Sequence, residues 1–181
     1  MLCGARNASE NALDLAYRVA CQLAEMRVAV ASGYARGVDM AAHQGALSTG
    51  GDTIAVLPYG INRFKVTRPL REVFDFEHFL ATSELLPAYR FTVTGALRRN
   101  RLLAALSDAV IVVEPGDTGG TWYSVQTARD FDKPLFFLEG RRKDFIDALE
   151  KNGGVRIPVS RGNPDLTGVL DHIIDQDRPD R

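Results

Sequence analysis

The sequence predicts an α/β protein in which a mainly parallel, doubly wound sheet lies between two layers of helices. Short apolar runs alternate along the chain with segments of helical periodicity, and this rhythm is typical of such three-layer folds. The apolar runs are continuous rather than alternating, which indicates strands buried on both faces. They cover residues 28–32, 53–57, 109–113 and 135–138.

The remaining elements follow in chain order. Residues 1–3 are left for a first strand before the turn at Gly4, and the stretch L-A-T-S adds a short strand at 80–83. The first helix is predicted over 9–25, because its apolar residues follow the i, i+3, i+4, i+7 spacing and Ser9 can cap it. Further helices are expected at 38–48, 96–106, 120–131 and 143–151, followed by a short strand in V-R-I-P-V and a closing helix.

Length and composition indicate one domain over residues 1–174 and a polar C-terminal tail over 175–181. No apolar run approaches the roughly 20 residues of a membrane span, and no secretory signal is visible, so we expect a cytoplasmic protein without a membrane partner. Cys3 and Cys21 are expected to be free thiols. No spacing of Cys or His indicates a metal site, and no cofactor is predicted.

Charge limits the kind of ligand surface that is possible. The 22 basic and 23 acidic residues give a net charge of −1, so any nucleic-acid surface must be local. Three glycine-containing loops, at 4–9, 32–37 and 114–121, follow predicted strands. Ligands of such sheets bind at the carboxyl ends of strands, where helix N-termini attract anions. None of the loops has the glycine spacing of a dinucleotide fingerprint or a Walker motif.

Arg36 is the strongest candidate for an anion ligand, because a guanidinium in a glycine turn is poorly placed for the core and suits a phosphate. The alternative is a salt bridge to Asp39 or to another local carboxylate. Asp39 and His43 are four residues apart on one helix, which favours a mutual hydrogen bond that anchors the loop. No nucleophile accompanies this pair, so catalysis is not predicted.

A basic segment, L-R-R-N-R-L-L-A-A-L at 97–106, provides the second candidate group. Arginines near a helix start oppose the helix dipole, so Arg98, Arg99 and Arg101 require an anionic partner. Glu84 or a bound phosphate could serve equally well. The candidate phosphate-binding residues are therefore Gly4, Arg6, Ser32, Gly33, Arg36, Gly37, Arg99, Asn100, Arg101, Gly119, Gly120 and Thr121.

Several of these motifs resemble the DprA/Smf family of DNA-processing proteins. The resemblance extends over nearly the whole chain. It rests on S-G-Y-A-R-G-V-D-M-A-A-H-Q-G-A-L at 32–47, G-G-D-T-I-A-V-L-P-Y-G-I at 50–61, S-E-L-L-P at 83–87, R-N-R-L-L-A-A-L-S-D-A-V-I-V-V-E at 99–114 and Q-T-A-R-D-F-D-K-P-L-F-F at 126–137.

The resemblance implies an extended Rossmann-like domain that binds single-stranded DNA without catalytic turnover. It also implies a homodimer that helps to load a RecA-type recombinase during natural transformation or recombination. By position, Arg36 would line a positively charged pocket for the DNA backbone, together with Ser32, Gly33 and Gly37 of the same loop.

Some features depart from the family pattern. Family members usually carry further N-terminal residues and often a C-terminal winged-helix-like domain, and neither is expected in this sequence. Asp117 stands where many relatives have a basic residue, and a carboxylate there would repel a phosphate. The F-P pair that commonly precedes R-N-R is replaced by V-T-G-A-L-R, which changes the approach to Arg99.

A nucleotide-binding protein of the wider superfamily is the alternative, since P-G-D-T-G-G-T-W-Y-S is similar to the P-G-G-x-G-T-x-x-E motif of LOG-type phosphoribohydrolases. Gly120 and Thr121 match that motif, but Ser124 replaces its glutamate. A hydrolase needs this carboxylate, so hydrolysis is disfavoured while nucleotide binding stays open. Trp122 and Tyr123 could stack on a base or belong to the core.

Overall fold

The computed structural model describes residues 1–116, 119–138 and 143–176, and it confirms the predicted α/β class. The elements are β1 (Leu2–Cys3), α1 (Glu10–Glu25), β2 (Val30–Ser32), α2 (Val38–Ser48), β3 (Thr53–Val56), β4 (Phe79–Thr82), α3 (Val93–Ala105), β5 (Val110–Val112), α4 (Gly120–Asp130), β6 (Leu135–Leu138), α5 (Lys143–Lys151), β7 (Val155–Ile157), β8 (Val159–Ser160), β9 (Asn163–Pro164) and α6 (Thr167–Gln176).

Strands β1 to β7 are all parallel and form two hydrogen-bonded groups, β1-β5-β6-β7 and β2-β3-β4. The hydroxyl of Ser32 at the end of β2 donates a 2.7 Å hydrogen bond to the carbonyl of Leu2 in β1, which joins the two groups. Strands β2 to β4 extend from β1 in one direction, and β5 to β7 extend in the other. The chain therefore reverses its winding direction at β1, where a doubly wound fold has its ligand crevice.

Residues of β5 and β6 alternate between two cores, as expected for strands covered on both faces. Ile111 and Phe136 belong to one core with α1, α2 and α6, while Val112 and Phe137 belong to the other with α3, α4 and α5. The predicted face of α1 is buried, and the Ser9 hydroxyl accepts the N–H of Ala12 as its cap.

Helix α3 begins at Val93, three residues earlier than the sequence suggested. Thr92 is the reason, because its hydroxyl accepts the N–H of Gly95 at 2.9 Å and caps the helix. Helix α6 extends through Gln176, so the first two residues of the predicted tail are helical, and 177–181 lie outside the described residues.

No helix or strand was predicted from the sequence for the connection between β3 and β4. It contains two short 3-10 helices, Ile61–Arg63 and Arg68–Leu70, and supplies aromatic residues to a third core. The rings of Tyr34, Phe64, Phe74 and Phe79 pack together there. Across the described ranges, no helix has both the length and the apolar character to cross a membrane.

Candidate functional site

A cavity of about 850 Å³ opens where β1, β2 and β5 end. All three glycine-containing loops contribute to its wall, which places the cavity at the reversal of the winding direction. Most of the predicted residues line it. They are Gly4, Arg6, Gly33, Arg36, Arg99, Asn100, Gly119, Gly120 and Thr121.

The first two loops are held against each other by backbone contacts. The N–H of Val38 donates to the carbonyl of Ala5 at 3.2 Å, and Gly37 has a φ of +80°. A Cβ atom at Gly37 would overlap the carbonyl oxygen of Ala5 and come within 2.7 Å of that of Arg6. Only glycine allows both the positive φ and this close backbone approach without strain. Gly37 therefore has a structural role in the contact between the two loops, and it is not among the residues that line the cavity.

Glu114 connects the first loop to the third. Its carboxylate accepts the backbone N–H of Ser9 at 2.9 Å and the Ser9 hydroxyl at 2.7 Å, while its carbonyl accepts the N–H of Ala5 at 2.6 Å. Glu114 therefore fixes the start of α1 with its side chain and the loop that carries Arg6 with its backbone carbonyl. This role of Glu114 was not predicted from the sequence, although a carboxylate at the end of a buried strand is a usable signal.

Arg36 and Arg6 are exposed residues at the cavity. The proposed salt bridge between Arg36 and Asp39 is absent, because the Asp39 carboxylate accepts the N–H of Ala35 at 3.2 Å and faces Arg99 instead. No carboxylate among the described residues lies within ion-pair distance of Arg36 or Arg6. Within the described part of the chain, both guanidinium groups are therefore available to an anion.

Arg99 and Asp39 form a buried ion pair beneath the cavity. Arg99 is 4% exposed and Asp39 is 8% exposed, with 3.8 Å between Nη1 and Oδ2. Nη1 of Arg99 also donates to the carbonyl of Val56 at 3.2 Å, and its Nε has no hydrogen-bond partner among the described residues. Burial raises the pKa of Asp39 and lowers the pKa of Arg99, although the attraction between the two charges opposes both shifts.

Gly33 makes room for this pair. A Cβ atom there would overlap the guanidinium of Arg99 and lie 2.5 Å from Oδ2 of Asp39. Glu84 was predicted as one possible partner of Arg98, Arg99 and Arg101, with a bound phosphate as the other, but the carboxylate that pairs with Arg99 is that of Asp39. Glu84 instead pairs with Arg98 at 3.4 Å on the surface.

The other residues of the basic segment point in different directions. The guanidinium of Arg101 lies 4.8 Å from the ring centroid of Phe131, away from the cavity. Asn100 lines the cavity, and its side-chain amide donates to the carbonyl of Gly120 at 3.1 Å, which ties α3 to the start of α4. Ser32 lies beneath the second loop, with its hydroxyl bonded to Leu2.

His43 does not bond to Asp39. Its Nδ1 is 2.7 Å from the hydroxyl of Thr53, which itself donates to the carbonyl of Val30. The Thr53 proton is thereby used, so Nδ1 of His43 carries the proton of this contact. Burial lowers the pKa of His43 to about 3, so the ring is neutral at ordinary pH.

Tyr34 anchors the second loop, a role that was not predicted from the sequence. Its φ is +62°, and its ring packs against Phe64 and Phe79. Its hydroxyl donates to the carbonyl of Lys65 at 2.9 Å and accepts the N–H of Thr67 at 3.1 Å. The loop that carries Arg36 is thus fixed to the connection between β3 and β4.

The start of α4 forms the third wall. Ser124 is buried and its hydroxyl donates to the carbonyl of Gly120 at 3.3 Å, while Tyr123 lines the cavity. Trp122 instead packs against the core beside α4, with its ring 5.8 Å from that of Phe145. Asp117 lies outside the described residues. Across the described part of the chain, no three His, Cys, Asp or Glu side chains form a group that could hold a metal ion.

The fold and the cavity define a Rossmann-like protein with an arginine-lined crevice at its switch point. The comparison with known proteins is more specific. The chain belongs to the DNA recombination-mediator protein A family, the DprA/Smf family, whose family model matches residues 1–153.

Curated relatives agree with this assignment. The chain is 33% identical over 118 residues to the DNA processing protein DprA of Streptococcus pneumoniae, which covers 64% of this chain and 42% of the relative. It is 37% identical over 143 residues to a putative DprA of Mycobacterium tuberculosis, with coverage of 76% and 36%. Escherichia coli Smf is 34% identical over 131 residues, with coverage of 68% and 34%. The chain thus spans less than half the length of these relatives.

Solved structures show the same similarity in three dimensions. A DprA structure from Helicobacter pylori, described by its single-stranded DNA binding mode, matches with a TM-score of 0.79 and 25% identity, covering 97% of this chain and 79% of that one. DprA from Streptococcus pneumoniae matches with a TM-score of 0.74 and 27% identity, covering 86% and 56%. Molybdenum cofactor carrier proteins, such as that of Chlamydomonas reinhardtii with a TM-score of 0.65 and 21% identity, share the fold.

Proposed function

We propose that this chain binds the phosphate backbone of single-stranded DNA at the cavity and acts in DNA processing and recombination. In this proposal the protein is a non-catalytic, cytoplasmic homodimer that helps to load a RecA-type recombinase. The chemistry of the cavity supports the binding step, and membership of the family supports the remaining steps.

The observation that carries the proposal is the convergence on one cavity of a helix N-terminus and two guanidinium groups that have no ion-pair partner among the described residues. Arg6 and Arg36 come from the first two loops, and the backbone N–H groups at Gly120 and Thr121 begin α4. Guanidinium groups and free helical N–H groups are both donors suited to phosphate oxygens. The described residues Gly119 and Gly120 carry no side chain that would keep a phosphate at a distance.

A hydrolytic function has little support. Asp39 is the only carboxylate among the described residues that line the cavity, and it is already occupied by Arg99 and the N–H of Ala35. Ser124 is buried with its hydroxyl bonded to the helix, so it cannot replace a general base. These contacts favour binding without turnover.

Fluorescence anisotropy of labelled oligo-dT over a salt series tests the binding step, with Arg36→Ala beside the wild type. We expect Arg36→Ala to weaken binding about tenfold or more and to reduce the slope of log K against log salt by about 0.7, the value for one phosphate contact on a single strand. Arg27→Ala is the matched control, because Arg27 is exposed at the end of α1 and does not line the cavity. Equal affinities for Arg36→Ala and the wild type would contradict the proposal.

A nucleotide-like small ligand is the second candidate, because a cavity of about 850 Å³ falls in the size range of roughly 300–1,000 Å³ of small-molecule sites. Tyr123 at its wall could stack on a base. Mass spectrometry of small molecules released from the purified protein separates the two candidates. A stoichiometric nucleotide, together with failure to bind oligo-dT at low salt, would favour this second function.

Assembly and partner need separate measurements. Light scattering at several protein concentrations would test the homodimer, and a strand-exchange assay with a RecA-type recombinase would test loading. A monomer at all concentrations, or no acceleration of strand exchange, would remove that part of the proposal and leave DNA binding intact.

A further inference from the structure

A group of four cations lies in the connection between β3 and β4, outside the cavity. Arg63, Lys65, Arg68 and Arg71 are all exposed, and no acidic residue occurs between residues 63 and 71. No carboxylate among the described residues lies within ion-pair distance of any of them. Arg63 uses its Nε to donate to the carbonyl of Ala88 at 3.1 Å, and its terminal nitrogens have no acceptor among the described residues. We call these four residues the basic strip.

The basic strip is attached directly to the loop that carries Arg36. The hydroxyl of Tyr34, two residues before Arg36, bonds to the backbone of both Lys65 and Thr67. Further along, the side-chain amide of Gln44 in α2 donates to the carbonyl of Pro69 at 2.7 Å. The strip therefore starts beside the second loop of the cavity and continues along α2.

The segment that contains the basic strip is packed against the rest of the protein. Leu70 is 0% exposed and packs in the third core, and two 3-10 turns contain Arg63 and Arg68. Four cations presented by a fixed backbone repel one another, and this repulsion is relieved when a polyanion binds and releases its counterions. Acidic residues Glu72, Asp75 and Glu77 follow directly and mark the end of the strip.

We propose that the basic strip is a second contact for the backbone of the same DNA strand, which leaves the cavity past Arg36 and follows α2. The inference rests on the proposed function, because it assigns the strip to the strand that the cavity holds. Three of the four cations are arginines, whose fork geometry suits phosphate oxygens. A single strand fits this arrangement because its flexible backbone can bend from the cavity onto the strip.

The test compares Lys65→Gln/Arg68→Gln/Arg71→Gln with the wild type, using oligo-dT of about 6 and about 24 nucleotides, lengths that bracket common single-strand site sizes. We expect the variant to bind the short oligonucleotide as the wild type does. For the long one, affinity should fall roughly 10- to 100-fold at low salt, and the salt slope should fall by about 2, the value for three lost phosphate contacts.

The matched control is Arg27→Gln/Lys151→Gln/Arg161→Gln, which removes the same total charge from exposed positions at the end of α1, in α5 and in the β8–β9 turn. This control should bind both lengths as the wild type does. Equal losses in the two triple variants would show that only net charge matters, and an unchanged long-oligonucleotide affinity in the strip variant would overturn the inference.

The two proposals fail in different ways. If neither oligonucleotide binds the wild type, the proposed function and the strip assignment both fall. If the wild type binds both lengths and Arg36→Ala weakens both, but the strip variant changes neither, the cavity assignment stands and the strip assignment is wrong. Circular dichroism of each variant confirms that the fold is intact.

Discussion

Replacing Gly33 with alanine should destabilise the protein, because the added Cβ would overlap the guanidinium of Arg99 and crowd the Asp39 carboxylate. The two charged groups are almost completely buried and 3.8 Å apart. At an effective dielectric constant of about 20, their attraction is about 4 kcal/mol. Separating a buried pair leaves uncompensated charges, so we expect Gly33→Ala to lower the free energy of unfolding by about 3–5 kcal/mol.

Urea unfolding followed by circular dichroism measures this loss. Gly168→Ala is a suitable control, since Gly168 lies in α6 with no atom near its absent Cβ, and alanine there should stabilise by up to about 1 kcal/mol. The decisive comparison adds Gly33→Ala to an Asp39→Asn/Arg99→Met background, where the charges are gone and the cost should fall below about 2 kcal/mol. A loss under about 1 kcal/mol in the wild-type background, or the same loss in both, would refute the account of Gly33.

Two further predictions concern the support around the cavity. The pKa of His43 is about 3 in the folded state and about 6.5 in the unfolded state. Below pH 6.5 the unfolded state therefore binds more protons than the folded state does. The stability contributed by neutral His43 is consequently lost as the pH falls from 6.5 toward 3. The free energy of unfolding should be about 2 kcal/mol lower at pH 5 than at pH 7 because of this residue. The variant His43→Asn keeps a donor for Thr53 and should lack this part of the acid dependence, which urea titrations at the two pH values would measure. Tyr34→Phe keeps the ring but removes two hydrogen bonds to residues 65–67, so its free energy of unfolding should fall by about 1–2 kcal/mol, and an unchanged midpoint in urea would contradict that role.

The fold could be predicted from the sequence because its signals are local and repeated. Apolar runs such as A-V-I-V-V and the periodic face of α1 report burial directly, and the structure buries both. The start of α3 was missed because Thr92 looks like an ordinary polar residue until its hydroxyl is seen on the N–H of Gly95. The 3-10 turns between β3 and β4 have no periodic pattern, so their packing against Tyr34 was not visible.

The site was predicted less completely than the fold, because its contacts join residues that are far apart in the sequence. Arg99 and Arg101 are neighbours in a basic segment, yet one is buried against Asp39 and the other lies over Phe131. Sequence spacing places two residues 200° apart on a helix without saying which direction faces the sheet. The predicted hydrogen bond between Asp39 and His43 was wrong, because the Asp39 carboxylate accepts the N–H of Ala35 and its charged partner, Arg99, comes from a helix 60 positions later in the sequence.

The arginines near the cavity thus fall into two groups with different roles. The charge of Arg99 is balanced by Asp39 below the cavity, so this pair adds little net attraction for a phosphate and acts by fixing the second loop. Arg6 and Arg36 are exposed at the cavity and have no such partner in the ranges that the structure describes, and the basic strip continues from them along α2. An anion would therefore be drawn to the mouth of the cavity and not to its floor. Contacts at an exposed mouth remain within reach of solvent ions, so binding there should depend steeply on salt, whereas the folding contribution of Arg99 should depend on it only weakly.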